Sequence, residues 1–95
     1  MIDQLTRADF EQPGGPMWIV APDGSRLPVT VAETRNLTPT PQRAHPFSVI
    51  LEGPAAPLLA QGIHGFLHPR LGRLDLFMVP IGRNGNRLRY ELIFN

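Results

Sequence analysis

A chain of 95 residues holds one domain with a modest core, and a net charge of +1 gives no field to gather nucleic acid or an anionic membrane. The absence of cysteine excludes a disulfide framework, thiol chemistry and any cysteine metal site. Nine glycines and eleven prolines beside 42% hydrophobic residues fit turns between short strands rather than a disordered chain.

All nine basic residues are arginine, scattered enough to read as composition rather than as bidentate sites. Residues 1–69 carry four arginines against six acids, and residues 70–95 carry five against Asp75 and Glu91. This asymmetry would favour association between opposite ends. Residues 1–20 include Asp3, Asp9 and Glu11 and no apolar run, which does not suit a signal peptide. No stretch approaches the roughly 18 apolar residues of a membrane span, so the expected setting is a cytoplasm.

In chain order, Thr6-Arg7-Ala8-Asp9 has the form of a capping box, with Leu5, Phe10 and Ile2 on one side of a single helical turn. Gln12-Pro13-Gly14-Gly15-Pro16 ends that turn. A first strand is expected over 17–21, and Pro22-Asp23-Gly24 turns the chain. A longer strand over 27–37 sets Leu27, Val29 and Val31 on one face. Residues 38–46, with three prolines, form a loop. In a third strand over 47–52, Phe47, Val49 and Leu51 alternate with Ser48, Ile50 and Glu52. Residues 53–60 make an irregular crossing. A fourth strand over 61–68 is bent by Gly62 and Gly65. His68-Pro69-Arg70-Leu71-Gly72 then turns into a closing hairpin over 71–95. Six short strands with Gly/Pro turns predict an all-β domain over 1–95: a six-stranded antiparallel barrel or sandwich with a short N-terminal helical turn.

Asn84-Gly85 suits a type I′ turn, where both central residues need positive φ. A regular ladder from that turn pairs Ile81 with Leu88, Val79 with Tyr90, Phe77 with Leu92 and Asp75 with Phe94, on a face assigned to the core. The opposite face then carries Leu74, Leu76, Met78 and Ile93, with Arg87 and Arg89 as a charged rim. These six residues form the expected interaction surface, covered either by a protein partner or a second copy, or by Leu5 and Phe10 of the same chain. One bulge would scramble the assignment.

Catalytic chemistry has no visible seat. His64 and His68 on a strand lie about 13 Å apart at ~3.3 Å per residue, too far to share a metal. They read as solvated strand or turn residues. Ser25 and Ser48 lack a G-x-S-x-G setting. The carboxylates show no paired spacing. Asp75, an acid on the core face of that register, is the odd one. Tyr90 among Arg83, Arg87 and Arg89 points inward while the arginines point out, which does not make a nucleic-acid platform. Trp18 reads as core. The expectation is a non-enzymatic interaction module without cofactor or metal. The alternative is a barrel binding a small apolar molecule or glycan, with Trp18, Tyr90 and His64 near a mouth.

The motifs Phe47-Ser48-Val49-Ile50-Leu51-Glu52-Gly53-Pro54, Gln61-Gly62, His68-Pro69-x-Leu71-Gly72, Leu76-Phe77-x-Val79-Pro80-Ile81-Gly82 and Tyr90-Glu91-x-x-Phe94-Asn95 span most of the chain. Together they resemble a family of short bacterial proteins of unassigned function. Such proteins are similar to products encoded near phage-tail-collar-like proteins. The resemblance implies an accessory or structural role in a tail-like assembly, and it carries no catalytic residues.

Overall fold

The computed structural model describes residues 4–94. It contains one short helix, α1 (Arg7–Glu11), and six strands: β1 (Met17–Val20), β2 (Arg26–Asn36), β3 (Phe47–Gly53), β4 (Gly62–His68), β5 (Gly72–Asn84) and β6 (Arg87–Phe94). All pairings are antiparallel, and the strands close into a barrel in the order β1-β2-β3-β6-β5-β4. Closure removes the exposed sheet edges that invite unwanted pairing.

Six strands leave a narrow lumen, and side chains fill it. Met17, Ile19, Val29, Val49, Leu51, Phe66, Leu74, Leu76, Met78, Leu88, Tyr90 and Leu92 form this core. The gap bordered by Ile19, His64, Phe66, Leu76, Met78 and Leu92 has no room for a water molecule.

Each barrel end has its own plug. At one end α1 inserts Phe10, whose ring lies 5.3 Å from Phe94, 5.9 Å from Phe66 and 6.0 Å from Phe47, while Phe47 and Phe94 stack at 4.6 Å across β3 and β6. Leu5 is buried beside them. The capping box forms as expected: the Thr6 N–H and hydroxyl both donate to Asp9 Oδ2, at 2.9 and 3.2 Å. Ile2, assigned to the same face, lies outside the described residues. At the other end the segment 54–61 folds back so that Leu59 is buried, and the Leu59 N–H donates to the Tyr90 hydroxyl at 3.2 Å.

His68 ties α1 to the barrel. It is buried, not solvated as the strand reading supposed. Its Nε2 lies 2.6 Å from the Asp9 carbonyl oxygen, while Nδ1 accepts from the backbone N–H groups of Arg70 and Leu71 at 3.1 and 3.3 Å. Two donors on Nδ1 and an acceptor on Nε2 require the neutral Nε2–H tautomer. Asp9 joins the same knot through a 3.3 Å ion pair with Arg70. Partial burial pushes its carboxyl up, but the Thr6 N–H, the Arg70 guanidinium and the Thr6 hydroxyl outweigh that and hold it below the usual carboxylate range.

The closing hairpin departs from the expected register in two steps. First, Asn84 pairs with Arg87, so the two-residue loop is Gly85-Asn86, and Gly85 has φ +64°. A glycine with positive φ in the first central position, followed by a residue that keeps negative φ, is the type II′ pattern. That slip shifts pairings by two and preserves the faces. Second, a bulge lies between Pro80 and Gly82: Gly82 pairs with Arg89, but Pro80 pairs with Tyr90 and Met78 with Leu92. One extra residue, Ile81, reverses every side chain of β5 beyond it.

Candidate functional site

The reversal corrects the expected interaction surface. Leu74, Leu76 and Met78 point into the barrel and are buried, Leu76 at 3% and Met78 at 1% exposure. Neither a partner nor α1 covers them; closure of the barrel does. Phe77 turns outward and is 50% exposed, and Ile81 stands out from the bulge at 46%. Ile93 keeps its outward place at 46% exposure. Asp75 is exposed and sits 3.4 Å from Arg73, so the acid assigned to the core is a solvent-facing ion pair.

The outward residues of β4, β5 and β6 form a row. Ile63, 70% exposed, is opposite Phe77 across β4 and β5. Continuing the Met78–Leu92 register sets Phe77 beside Ile93 across β5 and β6. Half-buried Val79 follows Phe77 along β5, with Ile81 beyond it. Three exposed apolar side chains thus stand side by side across three strands. Single exposed apolar residues are ordinary on a protein surface; a contiguous group is less so.

Beyond Ile93 the same outer face becomes charged. Ser48 lies between Ile93 and Arg35, and Ile50 between Glu91 and Glu33; both are buried among these longer neighbours although they point outward. Arg35 forms a double hydrogen bond to Glu33 at 2.9 and 3.0 Å, which holds the exposed Glu33 carboxyl below its usual range. Arg87 and Arg89, assigned to a rim, both close on Glu52, at 3.7 and 3.4 Å. Asn84 also donates to Glu52, at 3.0 Å. Arg35, Arg87 and Arg89 thus meet Glu33 and Glu52, and with Glu91 on the same face the formal charges of this half cancel.

The three residues assigned to a ligand mouth do not converge. Tyr90 is in the core with its hydroxyl on Leu59. His64 is half-buried, with Nε2 2.7 Å from the Ala60 carbonyl oxygen. Trp18 is half-buried on the outer wall between Pro28 and Leu67, because Met17 and Ile19 take the inward positions of β1. Among the described residues no three histidine, aspartate or glutamate side chains come together as a metal site.

Fold and surface define a small, closed, side-chain-filled β-barrel with an uncovered apolar row on one wall. A family model described as Domain of unknown function (DUF6916) matches residues 5–94, and the chain belongs to that family. No curated protein and no solved structure matches the chain.

Proposed function

We propose that the protein is a non-enzymatic interaction module that associates with a second copy of itself through the outer face of β4, β5 and β6, and that it serves as an accessory of a phage-tail-like assembly. The observation that carries the reading is the row Ile63, Phe77 and Ile93, in register and exposed. Burying such side chains on a partner contributes about 25 cal/mol per Å² of apolar area removed from water. The adjoining charged half is neutral, so two copies meet without like-charge opposition. A two-fold contact uses one patch twice, which is the commonest oligomer symmetry. A lumen gap too small for a water molecule and a buried, fully bonded His68 favour a scaffold over a catalyst. The tail-like setting rests on the motif resemblance.

The test is Phe77→Ser combined with Ile93→Thr. The double variant is expected to lose association while it keeps a cooperative thermal transition. A variant that associates as the parent does refutes the assignment of the surface.

A further inference from the structure

A concave feature lies where α1 meets the 37–46 loop. The cleft there has a volume of about 620 Å³ and is lined by segments 4–8 and 42–45 together with Glu11, Asn36 and Phe47. That volume falls within the usual range for small-molecule sites, roughly 300–1,000 Å³.

Its chemistry is one-sided. Arg7 is neutralised within α1 by Glu11 at 3.2 Å, and its Nε donates to Thr34 at 2.8 Å. Arg43 meets no carboxylate among the described residues. One Nη2 hydrogen goes to the Leu5 carbonyl oxygen at 2.6 Å, and the guanidinium lies 5.5 Å from the centre of the Phe47 ring. These two contacts orient the cation, and among the described residues most of its five N–H donors have no partner. The Thr40–Arg43 backbone pair holds its base, with N–H to O distances of 3.0 and 3.2 Å. Asn36, Gln42 and His45 line the same cleft, and their side chains have no hydrogen-bond partner among the described residues. Apolar surface comes from the exposed Ala8 and Ala44, over a floor formed by the buried Leu5 and Phe47.

We infer that this cleft binds a small organic carboxylate, with the anion on the Arg43 guanidinium and the apolar body against Ala8 and Ala44. An oriented guanidinium pairs with a carboxylate in a fork geometry that a lysine cannot reproduce. The amides of Asn36 and Gln42 and the His45 ring supply further polar contacts. This site is independent of the association surface.

The experiment is an NMR titration of the full chain with benzoate, and with benzyl alcohol as the uncharged counterpart. Benzoate is expected to give saturable shifts at the Arg43 Nε–H, the Asn36 and Gln42 side-chain amides and the His45 ring. Benzyl alcohol should bind at least tenfold more weakly. Arg43→Lys should weaken benzoate binding by tenfold or more. Gln42→Ala and His45→Ala, at exposed positions where folding is not at stake, should each weaken it severalfold. Equal binding of the alcohol, parent-like binding by all three variants, or no saturable shift overturns the inference. So does binding that appears only after Asp3→Asn, because the cation would then be matched within the chain.

Discussion

His68 shows how one side chain does several structural tasks. It joins α1, through the Asp9 carbonyl, to the β4–β5 turn, through two backbone N–H groups. His68→Ala leaves those buried groups without partners, which should lower unfolding free energy by about 3 kcal/mol, read from urea denaturation midpoints. Asp9 stabilises the same knot in a pH-dependent way. Its carboxyl is held below the unfolded value of about 3.9, so its contribution is present above that pH and is lost as pH falls through the lower folded value. Asp9→Ala should therefore cost about 1 kcal/mol near neutral pH. The gap from the parent should close in acid, and a gap that widens on acidification contradicts this account. The capping box was legible as Thr6 with an acid three residues later. The role of His68 was not, since its partners on α1 are 59 residues away in sequence.

The hairpin teaches the same lesson at the scale of an element. Strand positions, turns and the six-strand class follow from alternation and from Gly/Pro punctuation. The face assignment of β6 follows too, because Leu88, Tyr90, Leu92 and Phe94 alternate with Arg87, Arg89, Glu91 and the outward Ile93. For β5 the register was carried outward from the turn, and the Ile81 bulge broke it. Local signals of that break stand in the chain. Proline in a paired strand and a glycine beside it both mark bulges, and Pro80-Ile81-Gly82 has both, with φ +137° at Gly82. Asp75 on a core face was a second warning, and moving it outward alone turns Leu74, Leu76 and Met78 inward. The two assignments differ in a measurable way. Met78→Ser should cost at least about 2 kcal/mol, as deletion of packed core volume does, whereas Phe77→Ser should stay within about 0.5 kcal/mol. The reverse order would restore the unbulged register.

For the molecule as a whole, a closed barrel plugged at both ends leaves the outer wall and the clefts beside the plugs as the surfaces open to a partner. The exposed row was not legible in the sequence as a set. Ile63 belongs to β4, and only the pairing of β4 with β5 brings it beside Phe77. The candidate surface therefore shares Ile93 alone with the apolar part of the sequence-based one, and Arg87 and Arg89 serve to hold Glu52. The proposed association through that wall would be governed by mass action and depend on protomer concentration. The direct measurement is the molar mass of the parent chain by light scattering after size exclusion, from low micromolar to hundreds of micromolar. A mass that rises from one chain to two, and that stays at one chain in the Phe77→Ser, Ile93→Thr variant, is the predicted result. A parent that remains a single chain throughout contradicts it.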